Sequence, residues 1–241
     1  MDRSHFGQHS SSQFNEEMES IRAHLMDMGG MVEKQVIEAN RALLQADSEL
    51  AEQVLENEEK VDDLEKMIDG ECARVLALRQ PAASDLRMII AVTKCVSDLE
   101  RIGDESAKIA KMAIALAEEG ESPRGYVEVR HIGNHVRGML SEALDAFARF
   151  DVEKAVDVAT EDSEVDLEYR SAMRALVTFM MEDPRAISQV LNIIWSLRAL
   201  ERIGDHARNI AEQIIYLVKG KDVRHISVDE LARHADSKRN Q

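Results

Sequence analysis

The sequence Leu99-Glu100-Arg101-Ile102-Gly103-Asp104 occurs again, 101 positions later, as Leu200-Glu201-Arg202-Ile203-Gly204-Asp205. Ile109-Ala110 and Ile210-Ala211 follow the two blocks in the same register. Identical blocks that keep the same surroundings indicate an internal duplication, and a duplication determines the fold of the whole chain. The chain therefore contains two copies of one structural unit.

Earlier in each copy the duplication continues at a shift of 104 positions. Residues 29–62 and 133–166 share 11 identities in 34 aligned positions without a gap. The identities include Gly29 with Gly133, Asp47 with Asp151, and Val61 with Val165. Compositional bias alone does not hold one register over such a length, so the repeat covers most of each half.

Each copy has the sequence character of three long helices. The chain has only 3 Pro among 241 residues and is rich in Ala, Leu, Met, Glu, Lys and Arg, which favour helix. Apolar periodicity predicts helices over about 14–45, 48–79, 84–118, 125–150, 152–182 and 184–219. Ser84 or Asp85 is a plausible N-cap, Pro184 suits a first helical position, and Gly220 suits a C-terminal stop.

The second helix of each copy has an apolar residue every seven positions, which is typical of long helices packed side by side in a left-handed bundle. The positions are Val54, Val61, Ile68 and Val75, then Val158, Val165, Ala172 and Phe179. The sequence thus predicts an all-α fold of two tandem three-helix bundles, at 14–119 and 125–220. The polar segments 1–13 and 228–241 are predicted to be flexible ends.

Charge and composition exclude several classes of protein. The formal net charge is -16, and nucleic-acid binding depends on neutralising phosphates, so we expect no nucleic-acid partner. The N-terminus has no apolar core of a signal peptide, and no uncharged apolar stretch reaches the roughly 18 residues of a membrane span. A soluble, cytoplasmic protein without membrane insertion is expected, in which Cys72 and Cys95 are free buried thiols.

Carboxylates four positions apart share one helix face. Such pairs recur in both copies on the predicted second and third helices: Glu58 with Asp62, Glu100 with Asp104, Asp162 with Asp166, and Glu201 with Asp205. If those helices are neighbours, four carboxylates converge in each copy, and hard cations bound through oxygen would offset their repulsion. The alternative is that each pair lies on an ordinary solvated helix face.

Other features of the signature have simpler interpretations. Gly103 and Gly204 lie mid-helix, where Gly costs about 1 kcal/mol relative to Ala, so we expect close helix packing there, or room beside a bound ion. Arg101 and Arg202 are expected in surface ion pairs, and His206 is expected to be solvated or capping. The copies share no His-Cys or Ser-His arrangement and no phosphate-binding Gly-rich loop, so no enzymatic activity is predicted.

The duplicated Glu-Arg-Ile-Gly-Asp block resembles the PhoU family. Further segments carry the resemblance from about residue 14 to 226: Arg79-Gln80-Pro81, Ser84-Asp85-Leu86-Arg87, Met180-Met181-Glu182-Asp183-Pro184-Arg185 and Val218-Lys219-Gly220. The resemblance implies two similar three-helix bundles, in agreement with the periodicity.

The resemblance also implies a function that composition does not show. Members of the family are negative regulators of the phosphate-starvation response, and are thought to link the ATPase of a high-affinity phosphate ABC transporter to a phosphate-sensing histidine kinase. Some members bind Mg, Mn, Zn or Fe through E(D)xxxD motifs. Those motifs correspond here to Glu58/Asp62, Glu100/Asp104, Asp162/Asp166 and Glu201/Asp205.

Three other functions are weighed against this regulator, which would act as an adaptor and form a homodimer. A metal-buffering or storage bundle would bind many ions without a partner. A di-metal enzyme would be expected to show the Glu-x-x-His motifs of di-iron bundles, and the chain is poor in such His ligands. The net charge argues against a DNA-binding regulator.

Overall fold

In residues 8–122 and 124–223, which the computed structural model describes, the chain forms six α-helices and no strand. The helices are α1 (Gln8–Gln45), α2 (Ser48–Arg79), α3 (Ser84–Glu119), α4 (Tyr126–Arg149), α5 (Val152–Glu182) and α6 (Ile187–Lys219). The predicted all-α class and the number of helices are therefore confirmed.

The repeated aspartates cap the second helix of each copy. The carboxylate of Asp47 accepts a hydrogen bond from the backbone N–H of Leu50 at 3.0 Å, and Asp151 accepts one from Lys154 at 3.1 Å. Each bond satisfies one of the backbone donors that a helix start leaves without a partner. The identity of Asp47 and Asp151 in the repeat therefore has a local structural cause.

Several predicted helix ends differ from the structure. Helix α1 begins at Gln8, before the predicted start near residue 14. The N-cap of α3 is Ala83 at φ 50°, without a side-chain cap, so neither Ser84 nor Asp85 has the predicted capping role. Pro184 begins a single 3-10 turn, Pro184–Ala186, that precedes α6. Residues 1–7 and 228–241, predicted to be flexible, lie outside the described residues.

Helices α1, α2 and α3 pack together as one three-helix unit, and α4, α5 and α6 form the other. The seven-residue positions of α2 are all buried, and those of α5 are buried except for the partly buried Phe179. Helices α2 and α3 are direct neighbours, as are α5 and α6, which was the condition for convergence of the acidic pairs.

The two units share a continuous core, because α3 packs on α6 and α1 packs on α4. Polar bonds cross between α3 and α6. His206 Nδ1 lies 2.9 Å from Asp98 Oδ1, and Arg202 Nε lies 3.0 Å from Glu105 Oε1. The expectation that His206 is solvated or capping is wrong, since this side chain is buried and faces the other copy.

Repeat-related glycines allow α1 and α4 to approach each other. A Cβ atom added to Gly29 would lie 2.5 Å from Leu144 Cδ2, and one added to Gly133 would lie 2.2 Å from Asn40 Nδ2. Asn40 and Leu144 occupy equivalent repeat positions, so each glycine receives the corresponding side chain of the other copy. The Gly29/Gly133 identity thus reflects contact between the two units.

The glycines of the signature also face closely packed side chains. A Cβ atom added to Gly103 would lie 3.3 Å from Gln35 Oε1 of α1, and one added to Gly204 would lie 3.4 Å from Val136 Cγ1 of α4. These contacts agree with the packing interpretation, and Asp162 Oδ1 of the predicted acidic pair also lies 3.8 Å from the Cβ position of Gly204.

Cys72 of α2 and Cys95 of α3 are free and buried, as predicted. Burial raises the pKa of both thiols, which keeps them protonated and unreactive. Among the described helices none combines the length and the apolar character that crossing a bilayer requires.

Candidate functional site

The acidic pairs of the first copy meet on the outer face of α2 and α3. Glu58 of α2 lies close enough to Asp104 of α3 and to Asp62 that their charges raise its pKa, and the charge of Asp104 raises the pKa of Glu100 as well. The i,i+4 spacing directs each pair along its helix, and the packing of α2 on α3 brings the two pairs together. We call these four residues, with Glu65, the first acidic cluster.

Glu65 belongs to this cluster but was not predicted. It lies three positions after Asp62 on α2, and the charges of Asp69, Asp62 and Asp104 act on it. Residues three positions apart share one helix face, so the spacing of Glu65 to Asp62 indicates that both lie on the same face of α2. The pairs that recur in both copies do not include Glu65, because the equivalent residue of the second copy is Tyr169.

Three glutamates of the first acidic cluster hold protons more tightly than isolated carboxyl groups do. Partial burial is the main cause that raises the pKa of Glu58, Glu65 and Glu100 above the ordinary value, and the neighbouring carboxylates add to it. Lys111 opposes the shift at Glu58, and Arg101 opposes it at Glu100. The cluster therefore carries mutual repulsion at neutral pH.

The second copy brings together Asp162 and Asp166 of α5 with Glu201 and Asp205 of α6, which we call the second acidic cluster. Burial is the largest cause of the raised pKa of Asp162, Glu201 and Asp205, and the charges of the other cluster members add to it. All eight sequence-predicted carboxylates thus lie in the two clusters, four in each.

Arginines distinguish the second acidic cluster from the first. Three direct ion pairs are formed there, by Arg208 with Asp162 at 3.1 Å, Arg198 with Glu201 at 2.9 Å and Arg170 with Asp166 at 2.7 Å. The equivalent residues of the first copy are Ala107, Ser97 and Lys66. Within residues 8–122 and 124–223, no carboxylate of the first acidic cluster forms a direct ion pair.

The donor set fits a hard cation better in the first copy than in the second. Five carboxylates without a paired arginine suit a cation that prefers oxygen ligands. In the second copy one oxygen, Glu201 Oε2, is buried without a hydrogen-bond partner, but arginines already compensate the charge. In the described part of the chain, no three carboxylate, imidazole or thiol groups are placed to hold one metal ion, so ligands would have to rotate.

Removing charge from the first acidic cluster is expected to stabilise the metal-free protein. The double variant Glu58→Gln with Glu100→Gln removes the i,i+4 repulsion within each of the two acidic pairs, which costs about 0.2–0.5 kcal/mol per pair. Gln and Glu have similar helix propensities, so the helices themselves should be little affected. In the wild type, the raised pKa values mean that the folded state binds more protons than the unfolded state above pH 4.5. Its stability should therefore rise as pH falls from 7.5 towards 5, and fall as pH rises.

Urea denaturation at pH 7.5 and pH 5.5, with chelator present, tests this expectation. The double variant should be the more stable protein at pH 7.5, and the difference should narrow at pH 5.5. Glu59→Gln with Glu118→Gln changes the charge of α2 and α3 equally at exposed positions and serves as the control. A pH-independent difference would contradict the proposed repulsion.

Comparison with known proteins places the chain among close relatives. The PhoU domain profile matches residues 25–113 and 129–214, one match in each copy. The chain is 62% identical over 233 residues to the phosphate-specific transport system accessory protein PhoU homolog of Pseudomonas aeruginosa, covering 97% of this chain and 96% of the relative. It is 46% identical to the Escherichia coli phosphate-specific transport system accessory protein PhoU, covering 96% and 95%.

Solved structures are similar as well. The crystal structure of PhoU from Pseudomonas aeruginosa superposes with a TM-score of 0.85 at 65% identity, covering 86% of this chain and 100% of the other. That of the phosphate transport system regulatory protein PhoU from Streptococcus pneumoniae gives 0.81 at 30% identity, covering 87% and 99%.

Proposed function

Because the chain belongs to the PhoU family, we propose that it is a cytoplasmic negative regulator of the phosphate-starvation response. In this proposal it acts as an adaptor between the ATPase subunit of the high-affinity phosphate ABC transporter and the phosphate-sensing histidine kinase. It holds the kinase inactive when phosphate is plentiful.

One observation carries the proposal. The similarity to proteins named as accessory or regulatory proteins of phosphate transport extends over nearly the full length of both chains. Those names describe regulation of transport rather than catalysis, which supports a non-enzymatic role.

The surface of the molecule suits protein contact. The net charge of -16 favours partners with basic surfaces. Large apolar side chains are exposed as well, among them Trp195 at 61%, Val127 at 78% and Met181 at 79%. Exposed aromatic and Met side chains are enriched in protein interfaces, so these residues are candidates for contact with a partner or a second copy in a homodimer.

We include metal binding in this proposal as a device that tunes partner contact. Glu58, Asp62, Glu65, Glu100 and Asp104 would hold a divalent or trivalent cation, such as Mg, Mn, Zn or Fe, in the first copy. The bound cation would supply positive charge to a face that otherwise repels acidic surfaces. Asp162, Asp166, Glu201 and Asp205 are the corresponding ligands of the second copy, where the arginines would compete with the cation.

Deletion of the gene is expected to leave starvation genes active in high phosphate, because the kinase would lose the contact that holds it inactive. A reporter fused to a starvation-induced promoter measures this effect. Re-expression of the wild-type chain should restore repression. Normal repression in the deletion strain would remove the adaptor proposal.

A binding experiment distinguishes the adaptor function from that of a metal-storage protein. It measures binding of the purified protein to the kinase's cytoplasmic region and to the transporter ATPase. Association should slow as salt rises to physiological levels, because exposed charges are screened beyond about 8 Å there. A protein that takes up many metal equivalents and binds neither partner would instead be a metal buffer, the alternative function.

A further inference from the structure

A groove between α1 and α4 is lined by basic side chains, although the chain as a whole is acidic. Its cavity of about 360 Å³ is lined by Asn40, Arg41 and Gln45 of α1 and by Arg130, Asn134 and Arg137 of α4, with no acidic residue among the lining side chains. Three arginines around one cavity are unexpected in a chain with a net charge of -16. We call this cavity the basic groove.

Among the described residues, no carboxylate forms an ion pair with an arginine of the basic groove. Residues three and four positions from Arg130 and Arg137 on α4 include no carboxylate. In residues 8–122 and 124–223, neither of these two side chains forms an ion pair, and Arg41 only donates from Nε to Gln45 Oε1 at 3.3 Å. Their guanidinium groups are therefore free to bind an anion, for which their planar fork of donors is well shaped.

Asn40 adds to the basic groove a buried polar side chain that packing does not explain. Its side chain is only 9% exposed, and its Oδ1 is buried without a hydrogen-bond partner. Leaving a buried polar atom unpaired is costly, yet the equivalent contact in the other half is made by Leu144 on Gly29. If position 40 served only to pack α1 against α4, leucine would be suitable there. A terminal amide can rotate, so that Asn40 offers its N–H group to a bound oxygen.

The basic groove has no counterpart in the other half of the molecule. The residues equivalent to Arg130, Arg137 and Arg41 are Met26, Glu33 and Asp145. Packing between the two units therefore does not require the arginines, because the related face does without them.

We propose that the basic groove binds a small anion carrying a phosphate group. Arginine forks match the tetrahedral, doubly charged phosphate oxygens, and the asparagine amides can complete their hydrogen bonds. The cavity is larger than one orthophosphate and lies in the size range of small-molecule sites, so free phosphate and a phosphorylated small molecule are the two sources of this chemistry. The inference does not depend on the adaptor function.

Calorimetric titration of the full-length protein with inorganic phosphate and, separately, with pyrophosphate at constant ionic strength tests the proposal. Saturable binding of either probe is expected, and the two titrations distinguish a single phosphate from linked phosphoryl groups. Arg130→Gln with Arg137→Gln should weaken binding by about tenfold or more, because hydrogen bonds to charged groups are lost. Arg74→Gln with Arg174→Gln removes two exposed arginines elsewhere and should leave binding unchanged.

The substitution Asn40→Leu tests phosphate binding with a variant that is expected to fold normally. This substitution copies the residue that already packs on the equivalent glycine, so the thermal midpoint should not fall, while phosphate affinity should. Wild-type affinity in the Arg130/Arg137 variant, or the absence of binding of both probes, would overturn the proposal. Equal binding of citrate would overturn the assignment to phosphate chemistry.

Discussion

Manganese is expected to stabilise the protein by about 2.7 kcal/mol when its free concentration is 100 times the dissociation constant, mainly through the first acidic cluster. The cation would bind the folded chain, in which α2 and α3 bring the carboxylates together, and not the unfolded chain. Five carboxylates without an arginine partner favour that cluster over the second, where Arg198 and Arg208 already compensate the charge.

Two matched variants assign the stabilisation to one copy. The first variant should lose most of the manganese-dependent rise in the free energy of unfolding; it combines Glu58→Gln, Asp62→Asn, Glu100→Gln and Asp104→Asn. The second variant should keep most of that rise; it combines Asp162→Asn, Asp166→Asn, Glu201→Gln and Asp205→Asn. Urea denaturation with and without manganese at constant ionic strength measures both. If manganese, magnesium and zinc all fail to stabilise the wild type, both clusters are solvated helix faces.

Phe147→Ala is expected to destabilise the protein by about 3–5 kcal/mol, because it removes a large buried side chain and leaves a cavity. Phe147 is 1% exposed in the shared core, and its ring centroid lies 6.3 Å from that of Phe150. Arg22 of α1 lies over the Phe150 ring at 4.9 Å and donates to the Ala148 carbonyl at 2.6 Å. The loss would therefore affect the contact between the two units.

Urea denaturation followed by far-UV circular dichroism measures the effect of Phe147→Ala. Leu167→Ala is the control, since this α5 side chain is 62% exposed and its removal should change the free energy of unfolding by less than about 0.5 kcal/mol. A similar, small effect of both substitutions would mean that the end of α4 does not belong to the cooperative core.

The candidate site was predictable in part, because its members have a local spacing that repeats. Glu100/Asp104 and Glu201/Asp205 each occupy one helix face whatever the helix packs against, and the duplication singled them out. Glu65 and the three arginines of the second cluster were missed because they differ between the copies. Comparing two repeats finds what they share, whereas the charge balance of each cluster depends on the residues in which they differ.

The sequence by itself determined the helices, their order and their buried faces. These properties are local: seven-residue spacing places Val54 and Val61 on one side of α2, and Asp47 and Asp151 cap the helices that follow them. The apolar pattern of a helix shows which face is buried, and no more than that.

Only the tertiary structure decided which helices cover those faces. Apolar surface is attracted to other apolar surface without direction, so the pattern of α3 does not distinguish α2 as a neighbour from α6. The packing of α3 on α6 buried His206 against Asp98, and the packing of α1 on α4 placed Asn40 on Gly133 beside Arg130 and Arg137. These contacts join residues about 90 or more positions apart, and their geometry arises only when the two copies pack against each other.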